Sequence, residues 1–441
     1  MPRIIYADMR SKLRLALGMA VFWTLFLLAF GSRHMTLNPT WQDGPSNVFS
    51  TWVFFEHGFR IFSEPIGNFA SSAPDSVKTE FAKETGLPAA NVFLFRHNDA
   101  EKPVFFVWNA LSRPYPPGLY LYLAPMAYAL AQGWLSFHTA MAVIVFVWLF
   151  IAHLAFLLIA EGVSELIPSP ATAPATLTTP KTPQAKGGAY RLLDATLTLL
   201  LCTMIYFEFM RWTMNSQYEL ISLLFVVLSI RAYSRERYLP AACWYCAAVF
   251  LHFRSLFYLP IFFFAVWRWF NVGKKPLAAR VKDLTFTEWI SLSVGAAMGL
   301  MAFVAFLLNY PTLVDQSIYD LNGAHYSHLG WRNLEKTLPL LLGSLVTFGY
   351  WFRRRAFLAV TVAAWTTLMF VQTPLTREWY AMFLFPIVLL LPRSPSPAQN
   401  RLSAAIGLIY LTYMASVFAN NSPFEFRFVR DLAETITRNL N

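Results

Sequence analysis

The chain has 441 residues, of which 56% are hydrophobic and 17% aromatic, while only 13% carry charge. A soluble domain of this length needs far more charged surface, so the composition excludes an ordinary globular protein and points to one immersed in lipid. The net charge of +11 does not indicate nucleic acid, because the basic residues are dispersed at the ends of hydrophobic runs rather than gathered on one polar face.

Arg3, Arg10, Lys12 and Arg14 precede an apolar segment from about Leu15 to Phe30. It looks like a signal peptide, but many more apolar runs follow, so residues 1–30 are expected to stay as an uncleaved first transmembrane helix with a cytoplasmic N-terminus. Residues 31–136 form an outer region with juxtamembrane helices. Within it, Ser72 or Asp75 as cap and Gly86 as stop predict a soluble helix.

Eleven further apolar runs follow: Gly118 to Gln132, Phe137 to Ala160, Leu192 to Phe207, and about 217–231, 238–251, 255–270, 289–308, 337–352, 356–372, 378–391 and 401–419. The second and third are separated by a Pro-, Ala- and Thr-rich linker over 161–190, expected to be disordered. Residues 137–270 thus form one transmembrane module, and 271–419 a second with an outer loop at 309–336. The tail 420–441 is expected outside.

Charge parity decides how many runs cross. If Gly118 to Gln132 crossed, Arg353-Arg354-Arg355 and the basic loop from Gly273 to Lys282 would lie outside, against the positive-inside rule. If it lies along or dips into the outer face, the cytoplasmic segments hold 20 Lys and Arg against 7 Asp and Glu, and the outer segments 15 against 17. The expectation is therefore an all-α polytopic fold of about 11 transmembrane helices plus one juxtamembrane or re-entrant helix, in the inner (plasma) membrane, with the C-terminus periplasmic or extracellular. Several runs are shorter than the roughly 20 residues of a perpendicular span, which predicts local thinning or ends buried in a protein-lined cavity.

The three cysteines, Cys202, Cys243 and Cys246, lie inside apolar runs and show no disulfide framework. Cys243 and Cys246 have redox-motif spacing, but in a lipid-embedded helix they are expected to be small packing residues.

The most informative stretch runs from Asn215 to Pro260: Asn215-Ser216-Gln217, an apolar run, Arg235-Glu236-Arg237, a second apolar run, then His252-Phe253-Arg254-Ser255. It reads as a transmembrane hairpin whose arginine-rich turn faces the cytoplasm and whose polar tips, Asn215, Gln217, His252 and Arg254, meet at the opposite face. Acids and bases collect at that face, among them Asp43, Glu56, Arg113 and Tyr115, while charge is sparse at the midplane. That distribution suits chemistry on a lipid headgroup and disfavours an ion pathway.

Three stretches resemble the GT-C superfamily of membrane glycosyltransferases that use polyprenyl-phosphate-linked sugars, in particular its mannosyltransferase-like branch. Arg113-Pro114-Tyr115-Pro116-Pro117-Gly118-Leu119 looks like the family's Tyr-Pro-Pro motif opening an interfacial helix. Asn215-Ser216-Gln217-Tyr218-Glu219-Leu220 is similar to its Gly-Gln-hydrophobic-Asn motif, with Ser216 and Glu219 as departures. Leu251-His252-Phe253-Arg254 before Tyr258-Leu259-Pro260 resembles a Lys-Pro-Gln or His-x-Lys site, with arginine where lysine is common. In order and spacing the likeness covers about residues 35–270.

The resemblance implies an acidic residue in the first outer loop. Asp43, in Trp41-Gln42-Asp43-Gly44, fits that position, and Glu56 competes with it. A carboxylate is needed because the acceptor hydroxyl must lose its proton as it attacks the anomeric carbon. One carboxylate without a covalent intermediate gives inversion. Asp-Gly-Pro is also strong turn chemistry, which remains the competing account of Asp43.

Arg254 and His252 suit a leaving lipid phosphate, with Arg113 as a further donor-phosphate contact. Snorkelling, packing and interface anchoring are their alternatives. Tyr115, Asn215 and Gln217 are the candidate sugar or acceptor contacts, together with His325 and His328 in the outer loop. The histidine pair has metal-compatible spacing but no cysteine on its side, so an acceptor-binding or lid loop is favoured over a metal site and no cofactor is expected. The expected partners are a polyprenyl-phosphate sugar donor, a lipid, glycan or protein acceptor and membrane lipids, with no nucleic acid. A lipid or polysaccharide flippase and an O-antigen polymerase or ligase remain the alternatives.

Overall fold

The computed structural model describes residues 2–30, 51, 54–63, 115–167, 187–214, 219–271, 281–323, 334–354, 356–372, 378–394 and 396–419. Among them there is helix and no strand. The α-helices are α1 (Pro2–Phe30), α2 (Pro117–Ala131), α3 (Phe137–Leu166), α4 (Gly187–Met214), α5 (Glu219–Ser234), α6 (Tyr238–Leu251), α7 (Leu259–Asn271), α8 (Phe286–Gly323), α9 (Leu334–Arg353), α10 (Phe357–Gln372) and α11 (Pro397–Ala419). Three 3-10 helices, Gly58–Phe62, Phe253–Tyr258 and Glu378–Leu390, complete the set.

The apolar runs lie on these elements, the run at 255–270 divided between the 3-10 helix Phe253–Tyr258 and α7, but several helices outrun the apolar windows. Helix α1 begins at Pro2, so Arg3, Arg10, Lys12 and Arg14 are part of it rather than a preceding segment. Proline opens a helix without loss, and Arg and Lys propagate one well. Helix α8 continues past residue 308 to Gly323, which shortens the outer loop expected at 309–336. The linker expected at 161–190 is narrowed from both sides, by α3 reaching Leu166 and α4 starting at Gly187. Hydropathy marks where lipid begins, and helix formation does not stop there.

The run at 378–391 departs in kind, because Glu378–Leu390 is a 3-10 helix containing Pro386. At about 2.0 Å per residue its 13 residues reach roughly 26 Å, against about 20 Å as an α-helix. Met382 to Leu389 that face the neighbouring helices are buried throughout, so this extended element is a central post of the bundle.

Among the described residues three helices are long and apolar enough to cross a membrane: Ala142–Leu166, Tyr190–Met210 and Phe286–Asn309, with mean hydropathies of 2.8, 1.6 and 2.1. Leu220–Ser234, Tyr238–Leu251 and Phe357–Met369 are apolar but shorter. In α8 the outward face carries Leu300, Phe303 and Leu307, all more than half exposed. Apolar side chains held outward along such a helix are what a lipid-facing surface requires. The chain is a helical membrane protein.

Local signals set several boundaries. Thr285 and Glu288 form a reciprocal cap before α8: the Glu288 carboxylate accepts the Thr285 N–H at 2.9 Å, and Thr285 Oγ1 accepts the Glu288 N–H at 3.3 Å. Ser136 caps α3 by accepting the Thr139 N–H at 3.2 Å. Between α5 and α6 the chain reverses at Glu236, which adopts φ 59°.

Helix α8 packs on α6 through small residues. A Cβ on Gly295 would lie 3.0 Å from Cys243 Sγ and 3.1 Å from Cys243 Cα, and one on Gly299 would lie 3.2 Å from Cys246 Sγ. Both thiols are free. The cysteines face a glycine pair four residues apart, a close-approach helix interface in which Cys serves as a small side chain.

One end of the bundle is held by charge. Glu161 of α3 lies 2.6 Å from Arg231, 3.4 Å from Lys12 and 3.9 Å from Arg235, joining α1, α3 and the α5–α6 turn. One turn on, Glu165 pairs with Arg393 at 2.9 Å. Arg401 of α11 holds Asp194 of α4 through two bonds of 2.5 and 2.8 Å, and Arg354 donates to Gln399 at 2.8 Å. All these residues belong to segments that charge parity assigns to one side.

Helix α2 packs against α3, α6 and α8. Leu119 at its start and Leu251 at the end of α6 share a packed cluster with Trp148 and Leu149, whereas its end leads through Gly133 into the start of α3 at Phe137.

Candidate functional site

The junction where α2 begins and α6 ends carries Tyr115, His252 and Arg254, three of the polar residues singled out above. Helix α6 stops at Leu251 because His252 turns extended, with φ −158° and ψ 130°. His252 then caps the 3-10 helix Phe253–Tyr258, its Nδ1 accepting the Arg254 N–H at 3.0 Å. With Nδ1 as acceptor, the ring proton of the neutral imidazole sits on Nε2. His252 is buried, and burial together with the Arg254 guanidinium holds its pKa well below the usual histidine value of 6.5. The neutral form is the resting form.

The turn that carries Arg254 is fastened on every side. Ser255 Oγ donates to the Ala248 carbonyl at 3.1 Å, Trp365 Nε1 to the Leu256 carbonyl at 2.8 Å, and Thr366 Oγ1 to the Phe257 carbonyl at 2.8 Å. The Tyr258 hydroxyl donates to the Phe383 carbonyl. Three elements therefore hold it: α6, α10 and the 3-10 helix Glu378–Leu390. A 3-10 turn leaves carbonyls without good intrahelical partners, and here side chains from α10 supply them. Arg254 itself is half-buried, its guanidinium 6.0 Å from the centre of the Phe257 ring.

The Tyr115–Leu119 stretch meets this turn. Gly118 packs so closely on α6 that a Cβ there would sit 2.4 Å from the Phe250 carbonyl oxygen, so glycine is required by the approach of two backbones. Three residues earlier, the Tyr115 ring lies 6.0 Å from the His252 ring, and Phe383 flanks His252 at 6.5 Å. Two of the three stretches that carry the family resemblance, some 135 residues apart in the chain, thus share one site. Pro117 at the first turn of α2 starts the helix at that point without wasting a donor.

The segment 54–63 covers the same region. Phe54 stacks on Tyr120 at 5.1 Å, and Ile61 and Phe62 are buried with Tyr120 and Ala305, with Tyr115 and Phe253 packed around them. Glu56 rides on this segment, exposed, with a carboxylate oxygen 3.7 Å from His57 Nε2. The site therefore gathers Tyr115, His252, Arg254 and the segment bearing Glu56. Asp43, Arg113, Asn215, Gln217, His325 and His328 lie outside the described residues. Among the described residues no group of three or more His, Cys, Asp or Glu is placed to hold a metal ion.

The sequence reading missed the supports of this turn. Trp365, Thr366 and Phe383 come from the C-terminal module, where no motif was visible, and their one signal is polar or aromatic atoms inside otherwise aliphatic runs. It also missed His153, buried in α3, whose Nδ1 donates to the Leu149 carbonyl at 2.7 Å.

No protein-family model, curated protein or solved structure matches the chain.

Proposed function

We propose that the chain is an inverting membrane glycosyltransferase of GT-C type, with eleven crossings and α2 as a re-entrant helix. It moves a sugar from a polyprenyl-phosphate donor to a lipid, glycan or protein acceptor at the outer face of the inner membrane. The observation that carries the reading is the meeting of Tyr115–Gly118 with His252–Arg254. An arginine, a neutral Nε2–H donor and a tyrosine together suit a lipid-linked phosphate, whose headgroup lies near the interface while its tail stays in the bilayer.

In the reaction, the acceptor oxygen attacks the anomeric carbon as the bond from that carbon to the phosphate oxygen breaks. The departing phosphate keeps the bonding pair, and Arg254 and His252 Nε2–H stabilise the charge that develops on it. The acceptor proton passes to a carboxylate, Asp43 or Glu56. A rigidly fastened turn adds to this, since donors already in place need no reorganisation at the moment of transfer.

The test is transfer of radiolabelled sugar from a purified polyprenyl-phosphate sugar, set against movement of lipid across vesicles without acceptor. Asp43→Asn keeps size and removes the base, so turnover falls by about 10²- to 10⁴-fold while folding and donor binding survive. Glu56→Gln is the matched comparison. Loss in Glu56→Gln alone moves the base to Glu56, whereas full activity of both folded variants removes the chemical centre of the proposal.

A further inference from the structure

On the outside of α1 runs a groove of about 450 Å³, lined by Arg14, Leu15, Gly18, Met19, Phe22 and Trp23 with Tyr206 of α4. Its chemistry changes along its length. Arg14 stands at the ion-paired end, two residues beyond Lys12, whose ammonium is 3.4 Å from Glu161. Arg14 is exposed, and no carboxylate among the described residues pairs with it. Arg10, one turn earlier on the same face, is exposed as well and adds to the positive potential.

Beyond Arg14 the wall is apolar, with Leu15 and Phe22 turned outward at 53% and 60% exposure. Gly18 leaves the floor open, since a Cβ there would meet nothing within 4 Å. Nine residues separate Arg14 from Trp23, about 13 Å of helix. At the far end the polar atoms satisfy one another: Trp23 Nε1 donates to the Tyr206 hydroxyl at 2.9 Å, and that hydroxyl donates to His153 Nε2 at 3.3 Å. The Leu149 carbonyl can only accept, so His153 Nδ1 carries the proton at that 2.7 Å bond and Nε2 is the acceptor. The groove is thus cationic at one end, apolar along its length and closed by neutral, matched groups.

We propose that this groove seats one anionic phospholipid, with its phosphate on Arg14 and an acyl chain lying from Leu15 to Trp23. The charge selects the occupant. An apolar trough by itself accepts any bilayer lipid, and a cation at the interfacial mouth favours the anionic ones. The Arg14 mouth lies at the ion-paired end, and the proposal does not depend on sugar transfer.

The experiment is native mass spectrometry of the whole chain, purified in mild detergent and re-equilibrated with equal amounts of phosphatidylglycerol and phosphatidylcholine. The unmutated chain retains one phosphatidylglycerol in about fivefold preference, the effect of roughly one interfacial cation. Arg14→Gln brings the ratio near one, and Arg14→Lys keeps the preference because the charge remains. Gly18→Phe, which fills the open floor, lowers retention of both lipids at unchanged helix content and keeps the test decisive should Arg14→Gln not fold. Equal retention of the two lipids by the unmutated chain overturns the proposal, as does an undiminished preference in Arg14→Gln. A dimer that binds no lipid and dissociates in Gly18→Phe also overturns it, since the occupant is then a second copy of the chain.

Discussion

The two ends of the helix bundle are built on different principles. At one, Glu161, Glu165, Asp194 and their arginine and lysine partners tie together α1, α3, α4, α5 and α11 by ion pairs, several of them mostly buried. At the other, the turn at His252–Tyr258 is fixed by hydrogen bonds to its backbone and by aromatic packing, and Arg254 is held through its main chain while its guanidinium reaches out over Phe257. A charge whose partner is a neighbouring helix serves the fold. At the other end Arg254 is positioned by a backbone turn that α6, α10 and the 3-10 helix Glu378–Leu390 hold rigid.

The largest effect expected from this contrast is on turnover at the aromatic end. Arg254→Ala removes a phosphate donor and should lower sugar transfer by about 10²- to 10³-fold in a radiolabel assay, with the melting temperature little changed. Arg254→Lys should recover only part, because the ammonium keeps the Coulomb attraction and loses the forked bonds. Normal transfer by a folded Arg254→Ala would take the phosphate away from this turn.

Glu161→Gln should do the opposite. It leaves Arg231, whose side chain is 11% exposed, without its carboxylate, and should cost roughly 2 to 3 kcal/mol of stability in detergent unfolding while activity per folded molecule is kept. A smaller change sharpens the account of the turn: Tyr258→Phe strands the Phe383 carbonyl and should cost about 1 to 2 kcal/mol. If Tyr258→Phe lowers turnover further than stability explains, the rigidity of the turn is part of catalysis.

The smallest effect is a pH dependence. The His252 pKa is depressed below 6.5 in the folded chain, so its contribution to stability is complete above 6.5 and is lost as the pH falls from there toward the folded value. Melting temperature measured between about pH 7 and pH 5 should decline on the acid side, and His252→Asn, which keeps a capping acceptor, should flatten that decline. An unchanged acid limb in His252→Asn would place the proton uptake elsewhere.

Much of this was legible in the chain before any coordinates. The helical, apolar character of the chain was readable because a lipid-facing or core helix must be continuously hydrophobic, and that property is local. The site residues around Tyr115 and His252 stood out because Pro-Pro-Gly and a His-x-Arg break are local as well. Helix ends were less legible: α8 runs through Pro311 to Gly323, and the charged start of α1 is helical, since a helix follows propensity and caps where hydropathy follows the bilayer.

What the sequence determined by itself is a helical membrane protein whose apolar runs are bounded by charged and polar residues. Only the tertiary structure decided which of those residues touch. Glu161 meets Arg231 across 70 positions, Gly118 meets Phe250, and Trp365 and Thr366 hold the turn at Arg254 from over 100 residues away. Periodicity and composition are properties of neighbours along the chain, whereas these contacts depend on how the α-helices and a stretched 3-10 post stack against one another. Nothing in a local window carries that order.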